Sequence, residues 1–375
     1  MAYIPAKIPT SHKTTGRPVP ARVALKGAEA AWGKFIKGRF DKVNDEVYNA
    51  LIRIPSVDAA GNYSQDYCFM RQTGHIAATS SPWNSDVDEG WADMEKCRVS
   101  LYRYSAAVNY DTGLNNFAHR EQNMQAQLSA AADGIKTLIN DMIIRGNASA
   151  PKDNTDSTQG NGCFDGLLQI AKDTKQIYNE PVDLTQLDVR HTTNEKLIAA
   201  DYAAEVVNTI AAIARSMNPR PTFIIGNPAA LSALSAVAKQ YGRYQIVPNQ
   251  WGSDIPDFFG LAMINCGRRA YDYRLDTIQT EVIKDKVSRE SIMNDKISTC
   301  KTSLILGSSS QEAIFGITAP NDSIITDSRK SGDHNIKWIL DYYYGLGCAG
   351  TNCLRVLNNV YVPNTLRLAT RDIEL

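Results

Sequence analysis

NNFAHREQNMQAQLSAAADGIKTLINDMIIR, residues 115–145 of a 375-residue chain, is the stretch around which the rest of the sequence takes its order. Within it Met124, Leu128, Ala131, Ile135, Leu138 and Met142 recur at three- and four-residue steps, the signature of a single apolar stripe along a long helical rod. Gly134 interrupts the pattern at a cost of about 1 kcal/mol relative to alanine, less than the roughly 1.5–3 kcal/mol that one fully buried large apolar side chain contributes. Gly146 stands where a helix C-terminus is expected.

Upstream of the rod, VYNALIRIP (47–55) and YSQDYCFMRQT (63–73) read as strands. In MEKCRVSLYRYSAAVNY (94–110), Cys97, Val99 and Leu101 alternate with Lys96, Arg98 and Ser100, so one face is covered and the other wet. Between these runs lies SSPWNSDVDEGWADMEK (80–96), a polar excursion that sets Asp86, Asp88, Glu89, Asp93 and Glu95 beside Trp83 and Trp91. A solvated acidic loop is the ordinary reading of such a charge run, yet paired tryptophans in a polar loop usually find something to cover them. The first 42 residues carry Lys7, Lys13, Arg17, Arg22, Lys26, Lys34, Lys37, Arg39 and Lys42 against only Glu29 and Asp41, with prolines at 5, 9, 18 and 20. Such a segment buries too little to offset its ordering entropy, so it is expected to be an extended arm ordered by a partner, the alternative being a loose terminus without a role.

Downstream, NASAPKDNTDSTQGNG (147–162) is a polar linker. NEKLIAADYAAEVVNTIAAIARSM (194–217) reads as a second helix and PTFIIGN (221–227) as a short buried strand. PAALSALSAVAKQYG (228–242) reads as a third helix, opened by Asn227 as cap and Pro228 in the first turn. TSLILGS, EAIFGIT, HNIKWILDYYYG and NCLRVLNNVYVP are strand-like, and the last two are expected to form a hairpin around GLGCAGTN (345–352).

Composition narrows the function classes. Lys plus Arg number 40 and Asp plus Glu number 40, so the total charge calls for neither nucleic acid nor acidic lipid as the main partner. No apolar run reaches the length of a membrane span, and MAYIPAKIPTSHK lacks the core of a secretory signal, which points to the cytoplasm. Seven scattered cysteines read as small buried thiols. Cys348 and Cys353 are spaced too widely for a CxxC clamp, with no histidine at zinc-site spacing. GLGCAG (345–350) has the GxGxxG spacing, but β-branched residues and a proline follow instead of a phosphate-binding helix. The five histidines form no HExxH pair. Asp333–His334 has no GxSxG partner, although a triad assembled through the fold stays open, and no Walker loop occurs. No catalytic, cofactor-binding or metal residue is assigned, and no cofactor is expected.

The order of elements, together with Asp141–Asn147 at the rod's end, Phe164–Leu167 after the glycine- and asparagine-rich turn, and Thr222–Tyr244, resembles the major capsid proteins of tailed bacteriophages, whose fold is named after phage Hong Kong 97. The resemblance implies an α+β fold. Its parts would be an N-terminal arm (1–45), a first strand of the peripheral domain (46–57), an extended E-loop (58–96) and the peripheral domain with a spine helix at 115–145 (97–189). An axial α/β domain (190–330), with helices at 195–217 and 228–241, and C-terminal strands of the peripheral domain (331–375) would complete it. It further implies a virion protein, assembled in the host cytoplasm, that forms hexamers and pentamers of an icosahedral head around double-stranded DNA held by weak non-specific contact. Partners would be copies of itself, portal and decoration proteins, and either a separate scaffolding protein or none, with no membrane. A lysine–asparagine cross-linking pair, present in some members, has no match here.

Arms and loops that reach across neighbours add buried area without enlarging the folded core. On that basis the assembly contacts are expected at Arg17, Arg22, Trp32, Phe35 and Phe40 of the arm and at Trp83, Asp86, Asp88, Glu89 and Trp91 of the loop. The rival readings are an encapsulin-like nanocompartment shell protein, which shares the fold, and a cytoplasmic enzyme of unrecognised family.

Overall fold

Glu46–Ala50 makes one helical turn, α1, before the short strand β1, Arg53–Pro55, so VYNALIRIP is not a strand throughout. The reason is spacing: buried Leu51 lies four residues after Val47 and three after Tyr48, which sets all three on one side of a turn. The structure is a computed structural model that describes residues 46–57, 61–72, 94–111, 120–151, 163–184, 187–188, 197–198, 200–248, 254–270, 276–278, 281–282, 299–320, 325–331 and 335–363.

The strands β2, Asp66–Gln72, and β3, Met94–Ser100, pair antiparallel from Asp66 opposite Ser100 to Gln72 opposite Met94, forming the expected hairpin, whose tip lies outside the described residues. β4, Tyr102–Asp111, is separated from β3 at Leu101, whose amide turns to the Gln65 oxygen at 2.8 Å and whose side chain is buried. The rod is α2, Arg120–Arg145; residues 115–119 of the expected spine lie outside the described residues. Leu128, Ile135 and Met142 of the expected stripe are buried, and over Ile139–Ile144 the stripe widens until every residue of the turn is buried. Gly146 ends the helix as expected. Its backbone then passes so close to Gly166, whose amide donates to the Gly146 oxygen at 2.8 Å, that neither position has room for a side chain. α3, Leu167–Asp173, starts from that crossing.

Next come β5, Ile177–Tyr178; β6, Val182–Asp183; and the small pair β7, Leu187–Asp188, with β8, Leu197–Ile198. The second helix, α4, runs Ala200–Ser216. It begins five residues later than the expected 195, because Leu197–Ile198 are drawn into pairing with β7. β9, Phe223–Gly226, is buried along its length, and α5, Pro228–Gln240, opens with Asn227 accepting a hydrogen bond from the Ala230 amide at 2.9 Å, the expected cap. The remaining strands are β10, Tyr244–Pro248; β11, Asp254–Phe258; β12, Leu261–Asn265; β13, Glu281–Val282; and β14, Thr299–Gly307. After them come β15, Ile314–Thr318; β16, Ile325–Ser331; β17, Asn335–Cys348; and β18, Leu354–Pro363.

Two sheets organise these strands. In the first, β17 is the long member: β4 pairs along one edge from Tyr344 to Asn335, while β16 and then β15 share the other, and β1 adds parallel to β15. The second has the order β10-β11-β12-β9-β14-β18-β5, with β13 on β14 and β6 on β18. Its two faces serve two cores. Phe223, Ile225, Ile264, Ile305 and Val356 pack with the end of α2 and the first sheet, whereas Ile224, Met263, Leu304, Leu306 and Leu357 pack beneath α4 and α5. A strand covered on both faces has no wet side, which is why FIIG lacks alternation.

The expected hairpin of the last two strands does not form. β17 belongs to the first sheet and β18 to the second, and GLGC continues β17 rather than turning. The glycines of GLGCAG serve close approach: a Cβ on Gly345 would meet the Ser100 oxygen at 2.8 Å, and one on Gly347 the Phe315 ring at 2.5 Å.

Candidate functional site

All ten residues expected to make assembly contacts, Arg17, Arg22, Trp32, Phe35, Phe40, Trp83, Asp86, Asp88, Glu89 and Trp91, lie outside the described residues. What the structure does describe is the paired base of the β2–β3 hairpin. Alternation gives the β2–β3 hairpin two chemically different faces. Tyr67, Phe69 and Val99 turn inward against Phe315 and Ile317 of β15, with ring centroids 5.9 Å apart for Tyr67–Phe315 and 5.3 Å for Phe69–Phe315, both edge to face. Arg71 fastens the same side, donating from Nε and Nη2 to the Cys348 main-chain oxygen at 3.2 and 2.9 Å.

The outward face carries Cys68, Met70, Met94, Lys96 and Arg98. Met70 is 52% and Met94 51% exposed, and the register makes them diagonal neighbours, Met70 opposite Lys96 and Met94 opposite Gln72. Flexible, polarisable methionines on a strand face suit contact with a surface of irregular shape. At the foot of the hairpin Asp66 accepts from Arg98 and from Ser100 Oγ, and those hydrogen bonds, Arg98 first, hold its carboxyl below the usual aspartate range.

A second exposed apolar group stands where β11 turns into β12. Phe258 pairs with Leu261, so Phe259 and Gly260 alone make the turn, with φ of 52° and 91°. Two positive φ values describe the tight mirror-image turn of a hairpin, which favours asparagine or glycine at its first position. Phenylalanine there is strained, and its ring stands 40% exposed, edge to face with Tyr241 at 6.2 Å. Ile246, in the neighbouring β10, is 58% exposed.

The end of α2 ties these parts together. Asp141, fully buried, accepts from Arg145 Nε at 2.7 Å and Nη2 at 3.0 Å and from the Ala270 amide at 3.1 Å, while Asn140 bonds the backbone at Tyr48 and at Cys266. Tyr48 in turn meets the Tyr342 hydroxyl at 2.5 Å and receives Arg53 Nη1 at 2.5 Å. One helical turn thereby fixes α1, the first sheet and the end of β12 to one another.

Three surface grooves have linings of a different kind. One of about 580 Å³ runs between α4 and the β5–β18 edge, lined by Tyr178, Asn208, Ile213 and Arg355. A second of about 580 Å³ holds Lys172, Lys301, Asn358 and Asn359, and a third of about 360 Å³ holds Arg215, Arg220 and Phe259. Among the described residues no three His, Cys, Asp or Glu side chains gather as a metal site, and no helix is long and apolar enough to cross a membrane. Sequence reading passed over Asn140, because a polar residue on a rod reads as solvated. It also passed over Phe259, because a turn containing FG gives no sign of strain.

No family model matches the chain, and no curated protein matches it. Among solved structures it is similar to the encapsulin of the holo-SrpI complex from Synechococcus elongatus PCC 7942, at 15% identity and a TM-score of 0.49, over 85% of this chain and 88% of that one. It is similar to the capsid of an empty GTA particle at 9% identity and a TM-score of 0.49, covering 85% and 91%. With Mycobacterium phage Adephagia the values are 10% identity and 0.46, covering 84% and 90%.

Proposed function

We propose that this chain is a shell-forming structural protein, the major capsid subunit of a phage-like head. In this reading hexamers and pentamers of it enclose double-stranded DNA in a virion assembled in the host cytoplasm. The observation that carries the reading is the division of labour in the β2–β3 hairpin. Its inner face is spent on holding the hairpin to the first sheet through Tyr67, Phe69, Val99 and Arg71, while its outer face leaves Met70 and Met94 half exposed. A hairpin anchored on one face, with two half-exposed methionines beside Lys96 and Arg98 on the other, is built to meet another surface.

The second exposed apolar group, Phe259 with Tyr241 and Ile246, is chemically unlike the first. Two dissimilar patches favour heterologous contacts, patch to different patch, which close into rings and, with a small adjustable tilt between rings, into shells. In this reading the arm and the tryptophan loop, with the ten residues named above, extend the same contacts across neighbours. Catalysis has no part in it, and a scaffolding protein, portal and decoration proteins are the partners of the assembly.

Purified full-length protein is expected to appear as closed particles in electron micrographs. A stable monomer at micromolar concentration in sedimentation velocity would refute the reading. Nuclease-protected DNA inside particles from infected cells distinguishes a head from a nanocompartment, which would hold protein cargo instead.

A further inference from the structure

Cys348 is the last residue of β17 and Cys353 immediately precedes β18, so the loop Ala349–Asn352 carries the chain from the first sheet to the second. Their five-residue separation is too wide for a CxxC clamp, yet the loop folds back and sets the two Sγ atoms 3.5 Å apart. The Gly350 oxygen lies within reach of both sulfurs, 3.4 Å from Cys348 and 3.2 Å from Cys353. Joining them needs an approach of about 1.5 Å to the usual bond length near 2.05 Å.

The surroundings make the two sulfurs unequal. The hydrogen bond from Cys353 pulls the Cys348 thiol down, the Arg71 guanidinium beside its carbonyl adds to the pull, and burial opposes both; Cys353 is pushed up by the same sulfur contact and by burial. Cys348 is 5% exposed and Cys353 fully buried, so a small reagent meets Cys348 first. One sulfur is placed to attack and the other to resolve.

We propose that Cys348 and Cys353 form a redox-active dithiol that closes to an intramolecular disulfide by exchange with a small disulfide such as oxidised glutathione, clamping the crossover between the two sheets. Cys348 loses its proton to solvent and its thiolate attacks one glutathione sulfur. The glutathione S–S bond breaks, a mixed disulfide forms on Cys348, and one glutathione leaves as thiolate. Cys353 then loses its proton to solvent and attacks Cys348 Sγ, so the protein S–S bond forms as the second glutathione leaves as thiolate, and the two glutathione thiolates take up the two protons released. Two protein thiols are oxidised and one glutathione disulfide is reduced to two thiols. The clamp stands independently of shell formation, since every group in it belongs to one chain.

Both sulfurs fall in a single tryptic peptide, Trp338–Arg355, which makes the test direct. Native full-length protein is incubated with oxidised glutathione, unreacted thiols are alkylated in denaturant, and the peptides are weighed. The expected result is a peptide lighter by two hydrogens and free of alkyl groups in the wild type, the same peptide carrying one glutathione in C353S, and a peptide alkylated once at Cys353 with no glutathione in C348S. The thermal midpoint of the oxidised wild type should rise by a few degrees, because the bridge restricts the unfolded chain, and dithiothreitol should reverse the rise. Recovery of the wild-type peptide with both sulfurs alkylated, while exposed Cys68 has reacted fully, would overturn the proposal. So would Cys348 bridged to Cys97 or to any other cysteine.

Discussion

The side-chain amide of Asn140 donates to the main-chain oxygen of Cys266 at 2.9 Å while its own oxygen accepts from the Tyr48 amide at 3.3 Å, so one buried residue of α2 holds the end of β12 and the turn α1 together. Leucine at 140 would fill the space and leave both backbone groups orphaned. Each orphan is worth about 1–3 kcal/mol, and N140L should lower the denaturant midpoint accordingly, with α1 losing amide protection in hydrogen exchange.

Gly166 and Gly134 make opposite expectations for the same substitution. A Cβ on Gly166 would lie 2.6 Å from the Met142 oxygen, 2.7 Å from the Gly146 nitrogen and 2.9 Å from the Ile143 oxygen, all rigid backbone, so G166A should destabilise by about 1–3 kcal/mol or more. Gly134 is exposed in mid-helix with nothing within 4 Å of the added carbon, so G134A should stabilise by about 0.5–1 kcal/mol. Urea unfolding of the two variants measures both signs.

Replacing Phe259 by asparagine should relax its left-handed backbone and raise monomer stability by about 1 kcal/mol. If the exposed ring is an assembly contact, the same variant should need a higher protein concentration to form particles. Light scattering against concentration reads the second effect and thermal unfolding the first.

Burial pushes the Cys266 thiol from 9.0 up to about 12, so the folded protein keeps a proton that the unfolded chain loses. Its contribution to stability is complete below pH 9 and is lost as pH climbs toward 12, at about 1.4 kcal/mol per pH unit for one proton. Tyr104, driven well above its usual value by complete burial, adds in the same direction at higher pH. C266A should flatten the alkaline limb of a stability profile by close to one proton.

Glutamate at Met70 and Met94 together should leave the monomer's melting temperature within a degree or two, because both side chains are half exposed. The same double variant should suppress particle formation at least tenfold in micrograph counts. Wild-type yields of particles would remove the hairpin's outer face from the assembly.

The sequence made legible whatever repeats at a fixed period. Leu128, Ile135 and Met142 betrayed the rod, Asn227 and Pro228 the start of α5, and Cys97 and Val99 the inner face of β3. It did not reveal which strand pairs with which. GLGC looked like a turn because glycines usually mark one, whereas Gly345 and Gly347 are there to admit the backbone at Ser100 and the Phe315 ring from partners far away in the chain. Tertiary crowding of that kind leaves no trace within a local window. The closeness of Cys348 to Cys353 was hidden for the same reason, since a loop's path and not its length brings two sulfurs together.

The register of β1 on β15, Arg53 beside Gly316 and Pro55 beside Thr318, has a consequence for biosynthesis. At about 5–20 residues per second the ribosome needs on the order of tens of seconds to deliver the second partner after the first has emerged. α1 waits as long for its contact with Tyr342. Until β15 and β17 have emerged, β1 and α1 stay without the partners that cover them, so the first part of the chain must wait uncovered while most of the rest is made.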